Sequence, residues 1–354
     1  MAGLYVHIPF CKKRCLYCDF FSTTRLEKQE AYIHALIKET DARKDEAGEP
    51  IRTIYIGGGT PSTLPLGWMT ALNEHMPATN VAEYTVEVNP GDVSKAYLEG
   101  LRALGVNRLS MGIQSFQDEL LHMLGRRHNA EQASKAIRIA QEAGFDNISI
   151  DLMYALPTQT MAQWQADIDT ALTMNVQHIS SYGLMYEQGT ALTRMLENGQ
   201  IEAVDEETEN AMYDYLCERL REAGFGHYEV SNFARPGYEA KHNSSYWDGT
   251  PYIGVGAGAH SYVNNVRSWN PNDLDAYIAG KAQPEREVLT ETDRYNERIM
   301  LGLRTNKGVA AEDIKGDIRS WIEKGLLRAT DDGRIVATQQ GLHILNRIIE
   351  DLMI

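Results

Sequence analysis

The sequence predicts an α/β fold, an incomplete parallel barrel followed by a smaller, mostly helical domain. Three observations predict it. Six short β-rich runs recur between residues 4 and 184, polar helix-forming stretches separate them, and the alternation ends near Glu229 in a chain of 354 residues. Alternating strands and helices give parallel strands joined by right-handed crossovers. Because a closed barrel of eight such units needs about 250 residues, we expect six units to leave the barrel open.

The six predicted strands are rich in β-branched and aromatic residues and are bounded by polar or glycine-containing segments. They read LYVHI, RTIYIGG, EYTVEVN, RLSMGIQ, NISIDLMY and HISSYGL. The stretches between them, such as Glu27 to Lys44 and Ala130 to Ala143, have the alanine, glutamate and leucine content of helices. Ligands of such sheets bind at the carboxyl ends of the strands, so polar residues found there are the first candidates for a functional site.

Three of the four cysteines, Cys11, Cys15 and Cys18, follow the first predicted strand. Their odd number and the lack of an apolar leader disfavour a disulfide framework, and a structural zinc site normally needs four ligands, with His7 as an atypical fourth. The intervening basic run KKR marks an exposed loop. Thiolates suit iron–sulfur clusters, and a [4Fe–4S] cube held by only three of them keeps one iron open to a ligand. We therefore expect such a cluster here.

Composition restricts the classes of partner and the compartment. Lysine and arginine number 34 against 49 for aspartate and glutamate, a net charge of −15, which disfavours binding to nucleic acid. Hydrophobic residues make up 43% of the chain, which is enough for a sizeable core. No run approaches the roughly 18 apolar residues of a membrane span. With free thiols and no leader, we expect a cytoplasmic protein.

Glycine and polar residues stand in or after four other predicted strands, near their carboxyl ends. They are Gly57, Gly58, Gly59 and Thr60 after the second strand, Glu87 in the third, Gln114 in the fourth and Asp151 in the fifth. A glycine run alone favours a tight turn, and each polar residue alone fits a structural hydrogen bond as well as a ligand contact. Their equivalent places on successive strands predict one shared binding site.

The spacing CxxxCxxC, with the aromatic Tyr17 just before the third cysteine, resembles the motif of the radical S-adenosylmethionine (SAM) superfamily. The resemblance implies a (β/α)6 partial TIM barrel and a [4Fe–4S] cluster whose open iron would chelate the amino and carboxylate groups of SAM. An electron from the cluster would cleave the sulfonium to a 5'-deoxyadenosyl radical, chemistry that a cofactor must carry. The positions implied to contact SAM are Tyr5, Tyr17, Gly57, Gly58, Gly59, Thr60, Glu87, Gln114, Arg126 and Asp151. Arg126, which from the residues alone fits a solvated helix end equally well, would bind the carboxylate.

A second constellation is HNSSYW, in which His242 and Tyr246 are four residues apart and would share one face of a helix beside Trp247. From the residues alone, a packed aromatic corner with a hydrogen-bonded histidine is the preferred interpretation, and haem ligation is the alternative. HNxxYW, here with Asn243, resembles the signature of the HemW-type haem chaperones, relatives of oxygen-independent coproporphyrinogen III oxidase. The motifs YVHIPFC, YCDF, GGGTPS, GVGAGAHSY and ERIMLGLRTNKGV extend the resemblance over nearly the whole chain.

The resemblance to the chaperones implies haem binding through His242, Tyr246 and Trp247, transfer to an apo-haemoprotein acceptor, and a haem donor at the membrane. The oxidase typically has a fourth cysteine two residues after the third and a longer N-terminal segment, whereas this chain has Phe20 there and ten residues before Cys11. We therefore expect a chaperone without coproporphyrinogen III dehydrogenase activity, and leave SAM cleavage open. Oxidative decarboxylation of coproporphyrinogen III is the alternative function, and RNA modification is a third, which the acidic charge disfavours.

The remaining chain predicts a second domain. Three helical stretches after residue 288 surround LLRATDDGRIVAT, which has the pattern of a short hairpin, and helices with a small hairpin look like a winged-helix arrangement. We expect residues 1–230 to form the barrel, 231–288 a connecting segment with the HNxxYW motif, and 289–354 the C-terminal domain. In an acidic chain this domain is better suited to a lid or a docking surface than to DNA binding.

Overall fold

A computed structural model describes residues 2–77 and 80–354 of the chain. Its strands, numbered β1 to β15, span Ala2–Ile8, Ile51–Gly58, Glu83–Val88, Arg108–Gln114, Ile148–Tyr154, His178–Gly183, Gly226–Glu229, Asn232–Ala234, Tyr252–Val255, His260–Val263, Val266–Trp269, Glu285–Val288, Val309–Ala310, Leu327–Ala329 and Arg334–Ala337. Its helices, numbered α1 to α14, span Gln29–Arg43, Leu66–Asn73, Lys95–Ala103, Asp118–Met123, Ala130–Glu142, Met161–Thr173, Ala191–Glu197, Glu206–Glu222, Lys241–Asp248, Leu274–Ile278, Glu291–Gly302, Arg319–Glu323, Gln339–His343 and Leu345–Leu352.

Twelve of the strands in the described residues form one sheet, in the order β12-β11-β10-β9-β1-β2-β3-β4-β5-β6-β8-β7. Strands β1 to β6 are neighbours in chain order and all pair in parallel. The six predicted strands and the α/β barrel architecture are therefore confirmed. Antiparallel hairpins, which no pattern in the sequence predicts, extend the sheet at both edges.

The segment 231–288, expected to be a connection, adds strands β8 to β12 to this sheet. Strand β9 pairs in parallel with β1, and β10 to β12 continue antiparallel from it. Each of these strands has at most four residues, too few for a period-two pattern to be recognised. Helix α9, which carries the HNxxYW motif, packs against β2.

The side chains of β1 point alternately to the hydrophobic core and to the candidate site. Leu4, Val6 and Ile8 are fully buried and belong to the main hydrophobic core. Because successive side chains of a strand point to opposite faces, Tyr5 and His7 point to the other side of the sheet. On that side lie the polar residues at the carboxyl ends of the neighbouring strands.

The chain from α11 onward has a core of its own, which includes Tyr295, Ile299, Trp321 and Ile348. Strands β14 and β15 form the predicted hairpin, and β13 completes a three-stranded antiparallel sheet. Helix α11 packs against α9, so this domain lies over the helix with the HNxxYW motif. In residues 2–77 and 80–354 no helix combines the length and the apolar character needed to cross a bilayer.

Candidate functional site

The three clustered cysteines lie in a loop at the carboxyl end of β1. A hydrogen bond of 2.8 Å from the N–H of Cys11 to the carbonyl of Thr23 closes the base of this loop. The N–H of Leu16 donates to the carbonyl of the residue that follows α4, at 3.0 Å. Cys15 and Cys18 are free, and the charges on Cys11 and Cys15 both act on Cys18. The structure therefore brings the three predicted ligands together.

The cysteine loop fits a [4Fe–4S] cube. Burial raises the pKa of the Cys11 thiol and raises that of Cys18 to about 11, so the iron must replace these protons when thiolates bind it. Among the described residues no three His, Cys, Asp or Glu side chains are grouped for a single metal ion, but thiolates that each bind a different iron need not converge on one point. A Cβ at Gly59 would come within 3.0 Å of Cys11 Sγ, and Thr60 Oγ1 lies 3.4 Å from the same sulfur. Three soft donors with a glycine that leaves them room suit such a cluster.

Arg126 joins the cysteine loop to the strand ends. One Nη donates to Cys15 Sγ at 3.4 Å, and the other donates to the carbonyl of Gly112. Its Nε is buried and has no hydrogen-bond partner in the part of the chain that is described. Buried donors are rarely left unpaired, and a ligand carboxylate would both satisfy this one and pair with the guanidinium. Tyr17, in the cysteine loop, is close enough to interact electrostatically with Arg126 and Asp151.

Side chains of neighbouring strands pack closely against the glycine run. The Glu87 carboxylate accepts hydrogen bonds from the Tyr55 hydroxyl at 2.8 Å and from the N–H of Gly58 at 3.1 Å. A Cβ at Gly57 would lie 2.8 Å from Glu87 Oε1, and Gly58 has a φ of +114° with the His7 ring beside it. Burial raises the pKa of Glu87 to about 7. Close approach and positive φ therefore both require glycine here.

Gln114 and Asp151 approach the same interior space from β4 and β5. Gln114 has a φ of +71°, where the register between the two strands shifts. Such strained backbone is rare outside glycine and clusters at functional sites. Asp151 Oδ1 accepts a hydrogen bond of 3.4 Å from Ser110 Oγ, and burial raises its pKa to about 6. Its charge also acts on Glu87 and Arg126, so the strand-end residues surround one site.

His242 lies in the core at the start of α9. Its N–H donates to the Glu83 carboxylate at 2.9 Å, which fixes the first turn of the helix. Its ring is fully buried, with Nδ1 2.9 Å from Thr53 Oγ1 and Nε2 2.9 Å from the Tyr246 hydroxyl. Burial lowers the pKa of His242 to about 3. Both ring nitrogens are thus engaged within the protein.

A row of rings links the strand ends to α9. Tyr5 stacks on Tyr55 with centroids 6.2 Å apart, Tyr55 stacks on His242 at 5.3 Å, and His242 meets the edge of Tyr246 at 5.3 Å. The Tyr5 hydroxyl also lies 2.9 Å from His7 Nδ1. Tyr5, a predicted SAM contact, and His242 and Tyr246, predicted haem contacts, therefore belong to one continuous row of rings.

Tyr246 and Trp247 also line a cavity of about 1190 Å³ between α9, strands β9 to β11, α11 and the C-terminal sheet. Cofactor pockets commonly occupy roughly 300–1,000 Å³, so this cavity is large enough for a sizeable ligand. His260, Arg294 and Arg298 line it too. No sequence pattern links His260 of β10 with Arg294 and Arg298 of α11, because the two elements are far apart in the chain. Two motifs pointed to this wall: GVGAGAHSY, which contains His260, and ERIMLGLRTNKGV, which contains Arg298.

Comparison with known proteins defines the class. Residues 5–171 match the family model of the Radical SAM superfamily, and residues 289–344 match that of the HemN C-terminal domain. The coproporphyrinogen III oxidase HemN from Escherichia coli, a radical SAM enzyme, has a TM-score of 0.83 over 99% of this chain and 90% of that chain at 24% identity, a likeness of fold. The chain is a radical SAM protein with a HemN-like fold, and the cofactors of this class are a [4Fe–4S] cluster and SAM.

Full-length relatives identify the family within that class. "Heme chaperone HemW" of Lactococcus lactis subsp. lactis (strain IL1403) is 36% identical over 99% of this chain and 97% of its own length. The protein of the same name in Bacillus subtilis (strain 168) is 34% identical over 98% of both chains, and that of Escherichia coli (strain K12) is 36% identical over 98% and 97%. The chain belongs to the family of HemW heme chaperones, and the oxidase alternative is not favoured.

Proposed function

We propose that this protein binds haem beside α9 and delivers it to apo-haemoproteins. The observation that carries the proposal is that a chain similar over its whole length to heme chaperones HemW has a cavity of about 1190 Å³ walled by Tyr246 and Trp247 of the HNxxYW motif. Aromatic walls suit a flat, largely apolar porphyrin. For His242 to bind the iron, it would have to give up its contact with Thr53 or Tyr246.

We further propose that Cys11, Cys15 and Cys18 hold the cluster and that Arg126 binds the carboxylate of SAM. The other proposed SAM contacts are Tyr5, Tyr17, Gly57, Gly58, Gly59, Thr60, Glu87, Gln114 and Asp151. When bound, the cluster and SAM supply one-electron chemistry. Burial raises the pKa of Glu87 to about 7 and that of Asp151 to about 6, so each carboxyl group can donate or accept a hydrogen bond near neutral pH.

The position of the C-terminal domain supports a role for it in exchanging haem with other proteins. The packing of α11 on α9 and its place on the cavity wall support a further proposal, that residues 289–354 act as a lid over haem or as the docking surface for the acceptor. Residues 1–230 would hold the cluster, and 231–288 would connect the two while contributing the HNxxYW motif. We propose a cytoplasmic protein that receives haem from a donor at the membrane. The net charge of −15 disfavours a nucleic acid partner.

An anaerobic experiment tests this function. The protein is reconstituted with iron and sulfide, titrated with haem, and mixed with an apo-haemoprotein. A second sample receives SAM, a low-potential reductant and coproporphyrinogen III. We expect saturable haem absorbance that moves to the acceptor, and an unchanged porphyrinogen mass. Loss of two carboxyl groups from coproporphyrinogen III, abolished by Cys15→Ala but not by Cys217→Ala, would establish the oxidase instead.

A further inference from the structure

We infer that His260 binds the iron of haem in this cavity and that Arg294 and Lys307 bind the two haem carboxylates. His242 is then a positioning residue. The inference rests on the proposed function and adds the residues that would hold the ligand. They come from β10, α11 and the loop after α11, not from the HNxxYW motif itself.

His260 is the first residue of β10 and lies on the cavity wall. Its ring stacks on Trp269, its partner in the β10–β11 hairpin, with centroids 5.7 Å apart and an interplanar angle of 20°. The imidazole makes no hydrogen bond to any described residue. Partial burial lowers its pKa, which favours the neutral imidazole that binds iron. The stacked ring is held in place while both nitrogens stay available.

His242 differs from His260 in each of these respects. It is fully buried, Nδ1 and Nε2 are both engaged, and it does not line the cavity. Its Nε2 lies 2.9 Å from the hydroxyl of Tyr246, whose ring does line the cavity. His242 therefore fixes the orientation of an aromatic wall residue.

Basic side chains without acidic partners among the described residues lie on the cavity wall and suit the two carboxylates of haem. Arg267 and Arg298 also line it, but they are already paired with Glu297 at 2.6 Å and with Asp313 at 3.1 Å. Arg294 and Lys307 line it as well, and neither has an acidic partner in the described residues. In a chain with a net charge of −15, unpaired cations on a cavity wall indicate an anionic ligand. Arginine and lysine bind carboxylates through charge-assisted hydrogen bonds.

Haem titration of single variants tests the iron ligand. His260→Ala, His242→Ala and His75→Ala are compared with wild type by absorbance and by electron paramagnetic resonance. His75 is a matched control, because it is paired with Asp41 on the surface away from the cavity. We expect His260→Ala to lose the histidine–iron signature and to bind haem at least about tenfold more weakly, with added imidazole restoring the signature. His242→Ala should keep it.

The possible results distinguish failure of the proposed function from failure of the ligand assignment. If wild type binds no haem, the proposed function fails. If wild type binds haem and only His242→Ala removes the histidine–iron signature, the inference fails while the function stands. If His260→Ala does not fold, as judged by thermal unfolding, His260→Gln takes its place, since it keeps a stacked planar side chain without imidazole.

A double variant tests the carboxylate contacts. Arg294→Gln with Lys307→Gln is titrated with haem and with haem dimethyl ester, in which both carboxylates are masked. We expect about three- to tenfold weaker binding of haem and no change for the ester. Arg138→Gln, at an exposed position on α5 outside the cavity, is the control for lost positive charge. An equal decrease for haem and its ester would overturn the assignment.

Discussion

The end of the barrel that carries the cysteine loop and the strand-end residues, called the cluster end below, differs from the cavity beside α9. The difference is in how many polar side chains find hydrogen-bond or ion-pair partners within the protein. At the cluster end, Glu87 accepts two hydrogen bonds and Arg126 donates two, which leaves the buried Arg126 Nε without a partner in the described residues. In the cavity, Arg294 and Lys307 lack acidic partners and the His260 ring is free of hydrogen bonds to described residues. The first arrangement suits a cofactor held in one pose, and the second suits a cargo that must leave again.

The two regions are nevertheless in contact. The stacked rings of Tyr5, Tyr55 and His242 run from the strand ends to α9, and Tyr246 continues the row to the cavity wall. A change in packing at one end can therefore reach the other through rigid side chains. Variants that damage one region and spare the other measure how far this coupling extends.

Removing a cluster ligand should have the largest effect. Cys15→Ser replaces a soft thiolate by a hard hydroxyl, so we expect iron and sulfide content after reconstitution to fall at least about tenfold. Cys217→Ser, on α8 away from the loop, should retain full content. A Cys15→Ser protein with a normal cluster would mean that the loop does not provide the ligands.

Arg126→Lys should have the second-largest effect, a weaker binding of SAM. Lysine keeps the charge but lacks the planar fork and the Nε donor, and hydrogen bonds to charged groups contribute about 1.5–3 kcal/mol, or about ten- to hundredfold in affinity. Isothermal titration of the reconstituted protein with SAM measures this loss, with Arg138→Lys as the control. Because Arg126 also contacts Cys15, cluster content is measured in the same sample. Unchanged SAM affinity at normal cluster content would contradict the role of Arg126.

Acid should destabilise the fold through buried histidines. Burial lowers the pKa of His242 to about 3 and that of His178 well below its usual value. Below about pH 6.5 the unfolded chain takes up these protons and the folded chain does not, so the free energy of unfolding falls with pH by up to about 1.4 kcal/mol per pH unit for each histidine. Glu87 and Asp151, whose pKa values are raised by burial, act in the opposite direction over this range. Urea midpoints at about pH 7 and about pH 5 are therefore compared between wild type and His242→Gln to isolate the contribution of His242. His242→Gln should show a smaller decrease between the two pH values than wild type, and an equal decrease would be evidence that His242 titrates normally.

Phe20→Cys should have the smallest effect. This substitution introduces the fourth cysteine of the oxidase spacing at a side chain that is 66% exposed. Because a cube that binds SAM already has its three thiolates, we expect iron content and haem affinity to stay within about twofold of wild type, and coproporphyrinogen III to remain intact in mass spectra. Appearance of the decarboxylated product would show that one side chain separates the two activities.

The sequence allowed prediction of the cluster end because its residues are either contiguous, as in the cysteine loop, or repeated at equivalent strand ends. The reason for the glycines was not predictable, since contact of Gly58 with His7 and of Gly57 with Glu87 depends on the register of β1, β2 and β3. The preferred interpretation of HNSSYW from its residues alone, a packed aromatic corner, agrees with the buried and doubly engaged His242.

The cavity could not be predicted for a physical reason. Its walls come from α9, short strands of the sheet edge, α11 and the C-terminal sheet, and no periodic pattern connects elements that are this far apart in the chain. His260 lies in the GVGAGAHSY motif, but no sequence pattern pairs it with Arg294. Only the pairing of β9 with β1 and the packing of α11 on α9 place them around one space.

Haem titration of the Cys11→Ser, Cys15→Ser, Cys18→Ser triple variant measures most directly whether the two regions bind separate groups. The same titration of wild type before reconstitution provides a cluster-free protein with its native sequence. If the cavity holds haem, both proteins should bind it with a dissociation constant within about twofold of the reconstituted wild type, and with the same His260-dependent spectrum. Loss of haem binding in both would contradict the assignment and place haem at the cluster end.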